Sequence, residues 1–474
     1  MMPTATTASG RAAQRSTVPL DKLIKKYDVR GARYTSYPPA TQFQTGMTAE
    51  QYVDYLGGRE QKFAPLSLYI HVPFCRDICY YCACNKVVTR DPAVAADYVK
   101  ALVREIDIKS ASCDAARVVQ QLHIGGGTPT FLDRHELMQL VHILATRFQL
   151  SDSDSRDYAV EIDPRTVDEE MLALLAGVGF NRISMGIQDF DADVQAAINR
   201  FQPFETVEQH VTTVRALGFR SLNFDLIYGL PLQTIETVRQ TLKRVLQLAP
   251  DRIAVYNYAH LPERFPSQRA LSRYPMPTAA EKLELQHFVR QHLLAAGYVN
   301  IGLDHYALPD DDLALAFQQG HLQRNFQGYS AFDFEETIGF GVSAISSHCN
   351  YFVQNVVELD AYQRALLDDR LPVGRSCLLT RDDLIRRDVI MALCCYLRVN
   401  LSQLGHRYDV NPASYFAKEL QGLESLEGDG LLRIKGHILI VTPLGRDFLR
   451  NICRVFDSYA DSTGAHSVQF SKTL

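Results

Sequence analysis

The stretch that decides the fold is Tyr69-Ile70-His71-Val72-Pro73-Phe74-Cys75-Arg76-Asp77-Ile78-Cys79-Tyr80-Tyr81-Cys82-Ala83-Cys84. Three of its cysteines, Cys75, Cys79 and Cys82, have the spacing C-x3-C-x2-C, and Cys84 follows two residues later. Three thiolates on one short loop can bind three irons of a [4Fe–4S] cube and leave the fourth iron open to a small molecule. The spacing therefore predicts a cluster that takes part in chemistry.

A structural zinc site is the main alternative for this loop. Such sites pair two C-x2-C units or add histidines at fixed spacing, and the sequence contains no second unit. The adjacent Cys394 and Cys395 lie in an apolar helical run, so we expect them to be core residues. A disulfide framework is disfavoured because we expect this long chain, which shows no secretory signal, to be a reduced, cytoplasmic protein.

The composition is that of a globular protein with a sizeable core. The chain has 474 residues, is 46% hydrophobic and 22% charged, and carries a formal net charge of −5. No apolar run is long enough to span a bilayer, and the mild charge gives no support for a nucleic-acid partner. Residues 1–20, rich in Thr, Ala and Ser, are expected to form a disordered tail in preference to a transit peptide.

Beyond residue 66, apolar runs of strand length alternate with amphipathic segments. The apolar runs occupy residues 67–72, 121–124, 158–162, 182–187, 221–227 and 252–257. Helix-like segments lie between them at residues 95–109, 134–148, 168–177, 204–217 and 235–248. Six β–α alternations predict an α/β fold in which a parallel sheet forms most of a (β/α) barrel. Ligands of such folds bind at the carboxyl ends of the strands.

Further units flank the predicted barrel, which we assign to residues 61–278. Residues 1–60 are expected to form a tail and an arm, which is either a linker or a cover over the site. Residues 279–370 are expected to form a barrel extension with substrate-side loops. Residues 371–474 are mostly helical, with a hairpin-like stretch at 432–441, and this pattern predicts a compact, winged-helix-like domain. Its predicted helices lie at residues 381–396, 414–423 and 443–456.

Polar and glycine-rich clusters follow the predicted strands. In chain order they are the segment 125–130, Glu161 with Asp163, Gln188 with Asp189, Asp225, and the segment 258–260. Because the carboxyl ends of parallel strands meet at one edge, we expect these clusters to share a rim with the cysteine loop. Consecutive glycines allow a ligand to approach the backbone, and carboxylates at the rim suit a nucleoside. Taken singly, the glycines also fit a tight turn, and the carboxylates also fit a surface pair or a salt bridge with Arg165.

The run Arg324-Asn325-Phe326-Gln327-Gly328-Tyr329 is not explained by apolar periodicity. Its guanidinium and amide groups suit substrate carboxylates. A capped surface loop is an equally good interpretation from the sequence alone.

These motifs resemble those of the radical S-adenosylmethionine (SAM) enzymes, and more closely those of the family of oxygen-independent coproporphyrinogen III oxidases. The likeness rests on the segments 33–38, 69–84, 125–130, 181–190, 225–231, 258–262, 324–329 and 341–346. It implies a partial (β/α)6, TIM-like radical SAM barrel with an N-terminal arm and a mostly helical C-terminal domain. It also implies the oxidative decarboxylation of two propionates of coproporphyrinogen III to vinyl groups in haem biosynthesis, started by a 5′-deoxyadenosyl radical and giving protoporphyrinogen IX.

The resemblance also implies roles for individual residues. Cys75, Cys79 and Cys82 would hold the [4Fe–4S] cluster, Cys84 would be a substrate-side thiol, and Gln327 would face a substrate propionate. The residues that would line a first SAM are Tyr69, Gly126, Glu161 and Ile345. Those matching a second SAM are Tyr81, Gly127, Thr128, Gln188, Arg200, Asp225 and Ala259. An electron donor such as flavodoxin or ferredoxin and a monomeric chain are implied as well.

A haem-binding chaperone on the same scaffold is the alternative function. Such relatives resemble this chain in the cluster loop and the glycine-rich segment, but they typically lack the extra cysteine and the Asn-Phe-Gln-Gly run. Cys84 and residues 325–328 are both present here, so the sequence favours the enzyme. An RNA-modifying radical enzyme is less favoured, because neither a basic stripe nor an RNA-binding module occurs.

Overall fold

In a computed structural model of the chain, six strands lie side by side at the positions predicted from the sequence. The described residues are 18–57, 64–114, 116–334, 336–348, 350–460 and 470–474, so most of the expected N-terminal tail lies outside them. The strands are β1 (Leu66–Val72), β2 (Val118–Gly126), β3 (Asp157–Ile162), β4 (Arg182–Gln188), β5 (Ser221–Tyr228) and β6 (Arg252–Asn257). Each pairs in parallel with the next, which confirms the predicted α/β sheet.

Helices connect these strands as predicted. They are Ala93–Ala111, Arg134–Arg147, Glu169–Gly177, Phe204–Ala216 and Ile235–Leu248. Side chains fix where several of them begin: the Asp133 carboxylate accepts the Glu136 N–H, and Asp168 accepts the Met171 N–H. Their apolar faces bury leucines, valines and isoleucines against the sheet, in one continuous core. The capped ends and buried faces hold the strand ends in register at one rim.

A seventh parallel strand, β7 (Thr337–Phe340), is absent from the sequence prediction. It pairs with β1 on the side opposite β2. Its four residues include Gly339, so neither its length nor its composition marks it as a strand. Antiparallel strands flank the parallel ones on both sides, at Val299–Ile301, His305–Ala307, Ile345–His348, Tyr351–Asn355 and Val373–Leu378. The barrel is therefore partial, as expected, and the sheet continues beyond it through residues assigned above to loop-rich elements.

A buried charge network ties β7 to the first barrel helix. Lys109 Nζ lies 2.7 Å from the carboxylate of Glu105, and both side chains are fully buried. Lys109 also donates to the Gly339 carbonyl at 2.6 Å. Glu105 accepts hydrogen bonds from Asn355 Nδ2 and Tyr362 Oη, each at 2.7 Å. Glu105 therefore joins its own helix, Ala93–Ala111, to the antiparallel strand Tyr351–Asn355 and to the helix Leu359–Leu367.

The C-terminal part combines helices with a small sheet. The predicted helix Arg381–Tyr396 and the predicted hairpin, Leu432–Lys435 with Ile438–Val441, are both present, and a third strand, Arg398–Asn400, joins the hairpin. The helix predicted at 414–423 runs instead over Ala417–Gly428, after a short turn of helix at Pro412–Tyr415. Residues 443–456 hold a 3₁₀ turn followed by the helix Leu449–Val455. Cys394 and Cys395 are buried, as expected for core residues.

The N-terminal arm packs into the hydrophobic core of the C-terminal part. Leu23 lies on the helix Leu20–Tyr27 and, together with Tyr34 and Tyr37, contributes to the same buried cluster as Leu393 and Phe448. Tyr34 Oη donates to the Asp457 carboxylate at 3.0 Å. Among the described residues, no helix is both long and apolar enough to cross a membrane.

Replacing Lys109 with Met tests the network beneath β7. The change leaves Glu105 buried without its cation, so we expect the free energy of unfolding to fall by about 3–5 kcal/mol. Urea unfolding followed by circular dichroism measures this loss. The control is Lys100→Met on the same helix, where an exposed lysine pairs with Asp97 and the loss should stay below about 1 kcal/mol. Equal losses in the two variants would contradict the role given to the buried pair.

Candidate functional site

A cavity of about 390 Å³ opens at the carboxyl ends of the barrel strands. Cys75, Cys79 and Cys82 line it from the loop that follows β1. The strand ends contribute residues 126–128, Glu161, Asp163, Gln188, Asp225 and Tyr256. The polar clusters recognised in the sequence therefore do meet the cysteine loop at one rim.

Two guanidinium groups hold the cysteine loop against the strand ends. Arg200 Nη1 lies 2.9 Å from Asp163 Oδ2 and 3.5 Å from Cys79 Sγ, and Arg200 Nη2 donates to the Gly186 carbonyl at 2.5 Å. Arg165 Nη2 lies 2.6 Å from the same carboxylate and 3.5 Å from the same sulfur. Burial disfavours the charged form of Asp163, but Arg200 and Arg165 outweigh it and lower its pKa to about 2. Asp163 is thus the anion shared by two cations that face Cys79.

The donor set fits an iron–sulfur cube better than a single metal ion. Within the part of the chain that the structure describes, no three His, Cys, Asp or Glu side chains close around one ion position. A cube takes each thiolate on a different iron, so its ligands surround a wider group and need not converge. The positive charge of Arg165 and Arg200 beside the Cys79 sulfur also suits an anionic, thiolate-bound cluster.

The three consecutive glycines are required by close packing as well as by the cavity. A Cβ at Gly125 would lie 2.6 Å from Glu161 Oε1, and one at Gly127 would lie 2.6 Å from the Pro73 carbonyl oxygen. Gly126 has a φ of +118°, which side chains other than hydrogen rarely allow. Gly126 and Gly127 line the cavity, so both interpretations of the segment, a tight turn and an open backbone, apply at once.

Glu161 is held in place from two sides. His123 Nε2 lies 2.9 Å from Glu161 Oε1, and the Gly126 N–H donates to Oε2 at 3.2 Å. Burial opposes ionisation of Glu161, but the hydrogen bond and charge of His123 lower its pKa below the ordinary value. Tyr69 lies behind this wall and does not line the cavity: its hydroxyl is 3.0 Å from His71 Nδ1, and its ring centroid is 5.8 Å from that of His123.

Asp225 and Gln188 present polar groups from neighbouring strands. Burial, together with the nearby Glu161 carboxylate, raises the pKa of Asp225 to about 6. Ser184 Oγ donates to this carboxylate at 3.0 Å. Gln188 has a φ of +67°, at a β-bulge in the pairing between β4 and β5. Bulges next to functional sites redirect side chains, and this one turns the end of β4 at the cavity wall.

Two smaller groups of predicted residues lie in cavities that adjoin the first. A cavity of about 380 Å³ is lined by Ala259 and shares Tyr81 and Cys84 with the first cavity. A cavity of about 130 Å³ is lined by Gln327 and shares Glu161 with the first. The structure thus distributes the predicted residues over three neighbouring cavities.

Some positions differ from what the sequence suggested. Ile345, on the strand beside β7, lines none of these three cavities. Residues 324–329 form a two-stranded hairpin, and the Arg324 side chain is buried, with Nη2 3.4 Å from Asp304 Oδ2. That run is therefore not a capped surface loop. Asp189 is buried away from the cavity, where it accepts hydrogen bonds from Thr241 and Gln233.

Sequence reasoning missed Tyr256, although it lines all three cavities. It lies near the end of β6, where side chains alternate between the two faces of the sheet, and this alternation was the available signal. Ser184 was missed as well, because one serine in an apolar run carries no distinctive pattern.

Comparisons with known proteins agree with this geometry. The profile of the Radical SAM superfamily matches residues 69–245, and that of the HemN C-terminal domain matches residues 379–448. The fold and the cysteine loop thus define a radical SAM enzyme, a class whose members hold a [4Fe–4S] cluster and SAM.

Curated proteins that match nearly the whole chain narrow the assignment from this class of enzymes to one family. The oxygen-independent coproporphyrinogen III oxidase of Pseudomonas aeruginosa is 45% identical over 452 residues, which is 95% of this chain and 98% of the relative. The protein of the same name in Escherichia coli is 42% identical over 452 residues, which again is 95% of this chain and 98% of the relative. The solved structure of the Escherichia coli coproporphyrinogen III oxidase, described as a radical SAM enzyme, superimposes with a TM-score of 0.86 at 41% identity, covering 94% of this chain and 100% of that one.

The chain therefore belongs to the family of oxygen-independent coproporphyrinogen III oxidases. These matches favour the enzyme over the haem-chaperone alternative.

The raised pKa of Asp225 gives a test of its predicted contact with a nucleoside. A carboxylate accepts hydrogen bonds more strongly when ionised, so SAM affinity should rise as the pH rises through about 6. Asp225→Asn should weaken binding and remove this dependence between about pH 5 and 7. Calorimetric titration of the reconstituted protein under anaerobic conditions measures it. Asp97→Asn, at an exposed aspartate, should keep the wild-type profile, and an unchanged pH profile in Asp225→Asn would remove Asp225 from the SAM contacts.

Proposed function

We propose that this chain converts coproporphyrinogen III to protoporphyrinogen IX by decarboxylating two propionates to vinyl groups without oxygen. One observation carries the proposal: three thiols spaced for a cluster line the same cavity as the strand-end carboxylates, in a chain whose curated relatives are named for this activity. When bound there, the cluster and SAM supply a 5′-deoxyadenosyl radical that removes hydrogen from a propionate β-carbon. The protein's own task is to bind, orient and exclude water.

Cys75, Cys79 and Cys82 would hold three irons of the cluster and leave one iron for a first SAM. Glu161 would accept a hydrogen bond from the amino group of that SAM. Its fixed position supports this role, because His123 and the Gly126 N–H already orient both carboxylate oxygens. Tyr69, whose ring centroid lies 5.8 Å from that of His123, supports Glu161 from behind the cavity wall, and Ile345 also lies outside this wall.

A second SAM lies beside the first. The residues that bind it are Tyr81, Gly127, Thr128, Gln188, Arg200, Asp225 and Ala259. All members of this set except Ala259 line the 390 Å³ cavity that the three cysteines also line, and this supports the proposal. Ala259 lines the adjoining cavity beside Tyr81, at the edge of the set.

Cys84 and Gln327 act on the substrate side. Cys84 is exposed and lines both large cavities, which supports a substrate-side role for its thiol. Gln327 belongs to the hairpin turn, where its N–H donates to Asn325 Oδ1 at 3.0 Å. Among the described residues its side-chain amide has no hydrogen-bond partner, so this amide is available to a propionate carboxylate.

A flavodoxin or ferredoxin supplies the electrons, and the chain works as a monomer. Arg76 and Asp77, directly after Cys75, are exposed, so a small redox protein has access to the cysteine loop.

An anaerobic assay tests the function directly. The reconstituted protein, incubated with coproporphyrinogen III, SAM and a strong reductant, should release CO2 and form protoporphyrinogen IX. Oxidation of the product to protoporphyrin allows its detection by absorbance and chromatography. Tight binding of haem without any vinyl product would contradict the proposal and support the chaperone.

Two cysteine variants separate cluster ligation from substrate chemistry. Cys79→Ala should abolish the iron–sulfur absorbance of the reconstituted protein, because one iron loses its thiolate. Cys84→Ala should keep this absorbance but lower vinyl formation. Iron content measured on both variants provides the control. A lost cluster in Cys84→Ala would make Cys84 a ligand, and a full cluster in Cys79→Ala would remove Cys79 from the ligand set.

A further inference from the structure

A cavity of about 120 Å³, distinct from the three described above, lies between the ends of β5 and β6 and the C-terminal part of the chain. Guanidinium groups dominate its charged lining. The cations are those of Arg33, Arg324, Arg446 and Arg450, and the carboxylates are those of Asp304 and Asp447. The cavity therefore carries an excess of positive charge.

Both carboxylates already have hydrogen-bonded partners of their own. Asp304 lies 3.4 Å from the Arg324 guanidinium and 2.7 Å from His305 Nδ1. Asp447, whose side chain is fully buried, lies 2.5 Å from Arg290 and 2.5 Å from His287. Neither carboxylate is left to neutralise the remaining arginines.

Arg33 and Arg450 differ in how many of their N–H groups are engaged. Arg33 Nη2 donates to the Asn257 carbonyl at 2.8 Å. Arg450 donates to the carbonyls of Gly31, Ala32, Lys472 and Thr473 and to Ser471 Oγ at distances of 2.6 to 3.5 Å, which engages all five of its N–H groups. Over the described ranges, no carboxylate lies within ion-pair distance of either guanidinium. Arg33, which keeps N–H groups to spare beside the positive charge of Arg450, therefore suits an anionic ligand.

The two arginines adjoin the substrate side of the site. Arg33, Tyr256 and Asn257 line both this cavity and the 380 Å³ cavity that contains Cys84. Arg33 is an exposed residue, and it faces the space that these two cavities share. The larger cavity is walled mainly by apolar and aromatic side chains, including Leu261, Phe265 and Phe470, which suit a tetrapyrrole ring.

We propose that Arg33 binds a substrate carboxylate that is not removed in the reaction, with the positive charge of Arg450 behind it. The substrate class is taken from the proposed function, on which this inference rests. The Arg33 guanidinium matches a carboxylate in charge and in planar hydrogen-bonding geometry. The reacting propionate has to lie near SAM in the 390 Å³ cavity, so the carboxylate at Arg33 belongs to a different side chain of the same ring.

This site differs from the one that the sequence suggested for substrate carboxylates. Arg324 was the guanidinium singled out there, but it stacks over Tyr329 at 4.5 Å and pairs with Asp304. Its positive charge is neutralised inside the protein. Arg33, which faces the cavity with one backbone contact and no carboxylate partner, is left for the substrate.

The test uses Arg33→Gln, because Arg450 also holds the backbone of the arm and its loss disturbs the fold. Fluorescence quenching of the reconstituted protein measures its binding of coproporphyrin III, the oxidised and unreactive porphyrin, and of its tetramethyl ester. Wild-type protein should prefer the tetracarboxylate. Arg33→Gln should bind the tetracarboxylate about tenfold more weakly, with unchanged affinity for the ester. Arg33→Lys, which keeps the charge, should recover most of the loss.

Turnover and a surface variant complete the experiment. Arg33→Gln should raise the KM for coproporphyrinogen III about tenfold while SAM cleavage without substrate stays at the wild-type rate. Arg134→Gln, at an exposed surface pair, should match wild type in every measurement. Slower SAM cleavage in Arg33→Gln would assign the cavity to SAM and overturn the inference.

The outcomes also separate this inference from the proposed function. If wild-type protein forms vinyl product and Arg33→Gln binds the tetracarboxylate as tightly as wild type does, the carboxylate site is wrong and the function stands. If wild-type protein forms no vinyl product, the proposed function is wrong. The porphyrin and ester affinities of the two proteins still decide whether Arg33 binds a carboxylate.

Discussion

The shared contact of Arg200 with Asp163 and Cys79 holds the site together. Tyr80 and Tyr81 of the cysteine loop pack against an apolar cluster that includes Ile198, but this packing does not orient the thiols. Arg200 links this loop to the end of β3 through Asp163 and to β4 through the Gly186 carbonyl. Because these groups are buried, losing one of them would leave an unpaired charge inside the protein. The position of the thiols therefore depends on two strands that lie correctly side by side, and the parallel sheet is the condition for the cluster site.

Local periodicity and the topology of parallel strands were enough to predict β1 to β6 and the edge at which their carboxyl ends meet. β1 to β6 contain apolar runs of strand length, so they stand out in the sequence, and residues that follow such strands must meet at one rim. β7 escaped prediction because four residues around Gly339 carry too little apolar pattern, and its partner β1 is more than 250 residues away in the chain. The close packing of the glycine segment against Glu161 and the Pro73 carbonyl could not be predicted either, because only the fold brings these three separate segments together.

The residues that sequence reasoning missed are those whose importance comes from distant neighbours. In the sequence Tyr256 is an ordinary aromatic residue of a strand. It lines the adjoining cavities only because segments distant in the chain surround the end of β6. The sequence allows two interpretations of the N-terminal arm, a linker or a cover over the site. Tyr34, which reaches Asp457, places the arm in the core of the C-terminal part, and no pattern within residues 20–60 indicates such a contact.

The arm and the C-terminal part are coupled to the substrate site through Arg450. This residue lies on the helix Leu449–Val455 and holds the carbonyls of Gly31 and Ala32, directly before Arg33. The same contact brings two like charges close together, which works against it. A carboxylate bound at Arg33 would offset this repulsion, so substrate and arm would stabilise each other by the same free energy. The C-terminal part would then serve catalysis without contributing a reactive group, because it sets the position of the arginine that orients the ring.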